Sequence, residues 1–150
     1  VSDGVGVGNS MSSLSEFTVL DLTQVLAGPF CSMLLAGHGA NVIKVGSPEG
    51  DLSRTIGLFF ADDHEQAYSG YFQSINRNKR GIVLALKTPR DRNRFKAMAA
   101  KVDVVIENFR VGVMERLSLR SDSGFRMLKR VRRRSYILHV PPTIANLTGI

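Results

Sequence analysis

The chain has 150 residues, 43% of them hydrophobic, a mean hydropathy of -0.01 and a net charge of +7. That length fits one domain with room for a buried core, and no apolar run approaches the roughly 20 residues a membrane-spanning helix needs. The single cysteine, Cys31, excludes an internal disulfide and a cysteine metal cluster, which suits a reducing, cytoplasmic setting. The charge is uneven. Residues 1–75 hold 2 Lys/Arg against 8 Asp/Glu, a net of -6, whereas residues 76–150 hold 18 against 5, a net of +13. A basic half can face nucleic acid, a polyphosphate ligand or plain solvent. No aromatic residues interleave the basic ones as a base-stacking platform requires, so nucleic acid is the weaker of these.

Residues 1–10, VSDGVGVGNS, carry neither a basic n-region nor an apolar stretch and do not read as a signal peptide. Met11 looks like a natural start, and residues 1–16 are expected to form a flexible leader. Phe17–Leu22 is an apolar run of the kind found in a strand covered on both faces. Ala27-Gly28-Pro29 breaks it and opens a helix, because proline suits a first turn in which its missing N–H is no loss. Phe30, Met33, Leu34 and Leu35 crowd one side of that helix, and Gly37 and Gly39 are placed to stop it. Asn41–Val45 predicts a second strand, parallel to the first. The turn between the first strand and the helix leaves backbone N–H groups free for an anion.

Residues 46–70 read as a long surface excursion, of a length that is usually functional or mobile. Tyr71–Ile75 suits a short strand or a helical turn, and Ile82–Leu86 a third strand. Thr88-Pro89 with Asp91 is a helix start, running to about Lys101 with Phe95, Met98 and Ala99 inward. Asp103–Glu107 predicts a fourth strand and Val113–Leu117 a short helix. A further helix is expected from about Ser123 to Arg132, then a fifth strand over Ser135–Val140. Alternating elements of this sort make an α/β fold with a mostly parallel sheet.

Spacing alone yields no strong catalytic constellation. GVGVG at residues 4–8 is not followed by a predicted helix and so fails as a dinucleotide fingerprint. His38, His64 and His139 lie far apart and read as loop or surface residues, and nothing suggests a metal site. Cys31, near a helix N-terminus, could have a lowered pKa, although a small buried hydrophobe is the commoner role. Two segments carry more. NRNKRGIVLALK, residues 76–87, brackets a strand with Arg77, Lys79, Arg80 and Lys87; its plain reading is a solvated turn. Glu107-Asn108-Phe109-Arg110, with Arg116 beyond, follows the end of a strand, and open α/β sheets bind ligands at the carboxyl ends of their strands. There Asn108 can hydrogen-bond a polar ring, Phe109 can pack on it, and Arg110 or Arg116 can pair with phosphate.

VLDLTQVLAGPFCSMLLAGHGANVIKV, then GDLSR at Gly50–Arg54, YFQSINRNKRGIVLALKTP and KVDVVIENFRVGVMERL occur in order, and together they resemble the class III CoA-transferase family. That family includes formyl-CoA and carnitine CoA-transferases, with alpha-methylacyl-CoA racemases as relatives; NRNKR leans toward the transferases. The resemblance covers residues 17–119 and implies the N-terminal part of a Rossmann-like, mostly parallel α/β domain, incomplete relative to the family's large domain, in a homodimer of threaded chains. It implies coenzyme A or acyl-CoA as substrate rather than as a tightly bound cofactor, with a carboxylic acid as the other substrate. Val25 and Leu26 would border the adenine or pantetheine part. Leu84 and Lys87 would line the nucleotide site, Asn108, Phe109 and Arg110 would contact the nucleotide, and Arg116 its phosphates. In the family an aspartate carries the acyl group as a covalent intermediate. That aspartate would lie beyond residue 150, Asp21 sits in a strand and is not its substitute, and so this chain is expected to be inactive alone and prone to self-association. Gly46, Ala85 and Val111 stand where an acid, an aspartate and a proline are usual. Residues 120–150 diverge into a basic segment. The alternatives are a non-catalytic α/β binding module for a nucleotide or other anion, and nucleic-acid binding through Lys129–Arg134.

Overall fold

The computed structural model describes residues 12–66, 69–119 and 136–139. Five strands, β1 (Thr18–Asp21), β2 (Asn41–Gly46), β3 (Arg80–Val83), β4 (Val104–Glu107) and β5 (Tyr136–His139), form one sheet in the order β3-β2-β1-β4-β5, with every pairing parallel. Helices α1 (Ala27–Gly37) and α2 (Gly70–Asn76) follow β1 and β2, α3 (Pro89–Ala99) crosses from β3 to β4, and α4 (Val113–Arg116) follows β4. The fold is therefore the α/β arrangement with a parallel sheet that the alternating pattern predicts.

Successive strand residues point to opposite faces, so each buried strand feeds two cores. On one face Leu20, Leu22, Val45 and Val105 pack with Phe95, Ala99 and Val102 of α3 and the turn after it. On the other, Val19, Val42 and Ile106 pack with Ala36 and Ala40 at the end of α1. Asp21 and Lys44 lie in phase with Val19 and Val42, which brings two charged side chains onto the α1 side.

Each helix boundary has a local cause. Glycine at residue 39 takes φ +93, its N–H donates to Ala36 O at 3.1 Å and that of Ala40 to Leu35 O at 3.0 Å, a left-handed cap that closes α1. Gly37, also expected to stop the helix, lies inside it. Ser69 caps α2 by accepting the Phe72 N–H at 3.0 Å, which decides residues 70–76 in favour of helix over strand. Thr88 caps α3, accepting the Asp91 N–H at 3.3 Å, with Pro89 in the first turn.

One strand is displaced from its expected place. β3 spans Arg80–Val83 rather than Ile82–Leu86. It is an edge strand with an exposed face, so polar Arg80 and Gly81 are tolerated in it. Leu84 and Leu86 are apolar because they pack against the α3-side core beyond the strand's end. The helix expected over Ser123–Arg132 and residues 1–11 of the expected 1–16 leader, with GVGVG, lie outside the described residues. Of the leader's remainder, Leu14 donates its N–H to His38 O at 3.0 Å and packs against the α1-side core rather than hanging free.

Gly28 is set by close approach. A Cβ there would meet Thr23 Cβ at 2.3 Å, whereas one on Gly37 would meet nothing within 4 Å. Gly28→Ala should destabilise the fold by about 1–3 kcal/mol through overpacking, and Gly37→Ala should stabilise it by about 0.5–1 kcal/mol through helix propensity. Urea unfolding of the two variants beside wild type checks the opposite signs.

Candidate functional site

The turn from Thr23 to Leu26, between β1 and α1, is held by side chains from four separate segments. Asp21, with no exposed surface, accepts the Thr23 N–H at 2.9 Å and the Thr23 hydroxyl on one oxygen, and the Ser32 hydroxyl at 2.5 Å and Lys79 Nζ at 3.0 Å on the other. Lys44 Nζ donates to Thr23 O at 2.6 Å. Asn108 accepts the Gln24 N–H at 2.9 Å and donates to Gln24 O at 2.8 Å. Asp51 accepts the Val25 N–H at 3.3 Å. These constraints hold Val25 at φ 69, a left-handed conformation that β-branched residues rarely adopt.

Two ion pairs anchor the clamp. Lys79 has a side chain only 2% exposed, and its three ammonium protons go to Asp21, to Pro29 O at 2.8 Å and to Asn76 Oδ1 at 2.9 Å. Burial lowers its pKa to about 8, and the attraction of Asp21 offsets that only in part. Lys44 lies 3.2 Å from Asp51 Oδ2. Burial by itself would raise the Asp51 carboxyl, but Lys44, the Ser53 N–H and hydroxyl and the Val25 N–H outweigh it and hold the group below its ordinary value. Cys31 is half-buried; burial first, and then nearby Asp21, raise its thiol pKa against the pull of Lys79. The shift is the reverse of the lowering that a position near a helix N-terminus suggests.

Past this turn the strand ends open onto two clefts. The smaller, about 230 Å³, lies on the α3 side. Leu22, Val45, Leu84 and Phe109 make its apolar lining, Ser47–Glu49 one wall, and Val113 and Leu117 another. Lys87 stands at it with Glu49, whose carboxyl is lowered by its own backbone N–H, by the Ser47 hydroxyl and, more weakly, by Lys87. The larger, about 710 Å³, lies between the 46–55 loop, α2 and β3. It is the more charged, with Lys44, Asp51, Arg54, Lys79 and Arg80, and Arg54 sits 3.8 Å above the Phe72 ring.

Of the residues singled out in sequence, Leu84, Lys87 and Phe109 meet in the smaller cleft. Val25 and Leu26 form the clamped turn, and Asn108 is the side chain that grips it. Arg110 and Arg116 are exposed, Arg116 lying on α4 between the cleft residues Val113 and Leu117. Lys79, grouped in sequence with a basic turn before a strand, instead buries its amino group in the protein interior. Sequence reasoning passed over Ser47–Glu49, although they follow the end of β2 and the strand-end rule applies to them as it does to Phe109. It also passed over the Asp21–Lys79 pair, for which no local pattern exists.

A profile described as CoA-transferase family III matches residues 14–130. The chain belongs to that family. It is 50% identical over 119 residues to a succinyl-CoA:mesaconate CoA-transferase of Haloarcula hispanica, covering 79% of this chain and 29% of that protein. It is 43% identical over 112 residues to the succinyl-CoA:glutarate CoA-transferase of Mus musculus, covering 74% and 25%. Among solved structures, a CAIB/BAIF family protein from Brucella suis superposes with a TM-score of 0.70 at 38% identity, covering 77% of this chain and 31% of that one. The chain thus spans under a third of the length of these relatives.

The buried pair has a testable sign. Lys79→Met leaves the Asp21 carboxylate buried without its counter-charge and should cost about 3–5 kcal/mol; adding Asp21→Asn should recover part of that loss. Because Lys79 titrates near 8 in the folded chain and at an ordinary 10.5 in the unfolded one, the unfolded chain holds the extra proton between those values. Wild-type stability should therefore rise relative to Lys79→Met as pH climbs through that window. Urea unfolding at several pH values reads both effects.

Proposed function

We propose that residues 17–119 form the nucleotide half-site of an enzyme that moves CoA between an acyl-CoA thioester and a free carboxylic acid. The observation that carries this reading is the smaller cleft. It joins an apolar slot for a purine, between Leu84 and Phe109, to cationic groups for phosphate, Lys87 at the cleft and Arg110 and Arg116 on the exposed segment beside it. It also lies at the carboxyl ends of the strands beside β1 and β4, where the chain's crossovers run to opposite faces, the usual place for a ligand in an open parallel sheet. Val25 and Leu26, on the adjoining turn, are then placed to border the pantetheine arm.

The names of the relatives support the substrate class, since mesaconate and glutarate are both dicarboxylates activated through a CoA thioester. The acyl-bearing aspartate implied by the resemblance has no counterpart among the described residues of the site. Asp21 is fully buried with both oxygens engaged, and Asp51 is held by Lys44 and Ser53, so neither is free to attack a thioester. In this reading the described residues bind CoA without supplying the nucleophile, and acyl transfer draws on a carboxylate outside them. Exposed Phe30 and Leu34 on α1 supply an apolar strip that suits a homodimer contact. The single free thiol suits a cytoplasmic enzyme.

Calorimetric titration with CoA tests the reading. Wild type should bind, and Lys87→Ala and Arg116→Ala should each weaken binding roughly tenfold through loss of a charge-assisted contact. No heat at millimolar CoA from folded protein would exclude the nucleotide half-site and leave only the fold relationship.

A further inference from the structure

We propose that Asn108 is a positioning residue, acting on the CoA thioester through the Thr23–Leu26 turn rather than by touching the nucleotide; this rests on the nucleotide reading of the cleft. The β1–β4 ladder ends where the Leu22 N–H donates to Ile106 O at 2.9 Å. Two residues further on each strand, the next rung is made by a side chain. The Asn108 amide accepts the Gln24 N–H and donates to Gln24 O, satisfying with one side chain two backbone groups that a neighbouring strand would satisfy with two separate peptide groups. Asparagine does this because its primary amide carries an N–H on the same side as its C=O, so that one planar group both accepts and donates. Aspartate lacks the donor, and alanine lacks both.

The rung matters because of what it holds. Val25, the next residue, stands at φ 69, where a β-branched side chain is strained and persists only under external constraint. Asp51 holds its N–H at 3.3 Å, a long bond, so the two shorter bonds from Asn108 are the stronger local restraint. Phe109, next in sequence, lines the cleft, and its N–H is taken by Glu107 at 2.8 Å. One short segment therefore places the purine wall with one residue and fixes the pantetheine-side turn with its neighbour. Loss of the Asn108 amide should loosen the turn while leaving the purine slot intact.

Two measurements on the full chain separate the possibilities, amide hydrogen exchange and paired titrations with CoA and adenosine 3′,5′-bisphosphate, which lacks the pantetheine arm. In Asn108→Ala, exchange at Gln24 and Val25 should speed about tenfold while Val19, Val42 and Val105 stay protected. CoA should bind more weakly, and the bisphosphate as in wild type. Asn108→Asp, isosteric and expected to fold, should weaken CoA at neutral pH and approach wild type at a pH low enough to protonate the new carboxyl, which can then donate to Gln24 O. Unchanged exchange at Gln24 would overturn the clamp. Equal weakening of both ligands would overturn positioning in favour of direct contact. If wild type binds neither ligand, the nucleotide reading fails and the ligand role of Asn108 with it, while the exchange at Gln24 still decides whether the rung exists.

Discussion

The carboxylate of Asp21 is the interaction on which the rest of the site depends. It ends β1, has no exposed surface, and gathers a hydroxyl from α1, a backbone N–H and hydroxyl from the turn, and the ammonium that follows α2. Burying a carboxylate is costly unless its lone pairs are filled and its charge matched. Here both conditions are met by residues from three elements, so the pair ties those elements to each other. The close approach of Gly28 to Thr23 belongs to the same arrangement, since the helix can start beside the strand end only without a Cβ there.

A second buried pair, Lys44 with Asp51, ties the 46–55 loop to the same turn, and Asn108 ties β4 to it. A turn so held is pre-organised, and a ligand that meets it need not order it on binding. The charged residues near the strand ends thus divide by role. Lys79 and Lys44 are structural cations that donate to interior partners, whereas Lys87, Arg110 and Arg116 are exposed to solvent. The larger cleft is rich in charge, but Lys44, Asp51 and Lys79 are already neutralised in pairs. The smaller one joins an apolar lining to Lys87, with Glu49 at the same cleft.

Much of the fold was legible in the sequence. β1, β2 and β4 are central strands, and largely apolar runs mark them, interrupted by Lys44 in β2 and ended by Asp21 in β1 and Glu107 in β4. α3 carried its start in Thr88-Pro89 and Asp91, and the cap and inward residues formed as that pattern implies. β3 starts two residues and ends three residues before its expected place, because an edge strand needs no apolar run and Leu84 and Leu86 owe their character to a core beyond the strand. Phe109, Leu84 and Lys87 converge as strand-end residues should. What sequence could not disclose is the partner of Lys79, since its acceptor Asp21 lies 58 positions away. Nor could it disclose that the amide of Asn108 is turned to Gln24, 84 positions away. Such contacts are set by the strand order and leave no periodic trace.

The most direct test of the proposed nucleotide site is an NMR titration of the chain with adenosine 3′,5′-bisphosphate, following backbone amides in both clefts. Shifts concentrated at Leu84–Lys87, Phe109 and Val113, with Arg54 and Lys79–Gly81 unmoved, are the result expected for the smaller cleft. Shifts confined to Arg54 and Lys79–Gly81 would place the ligand in the larger cleft and contradict the assignment of Lys87 and Phe109 to the nucleotide.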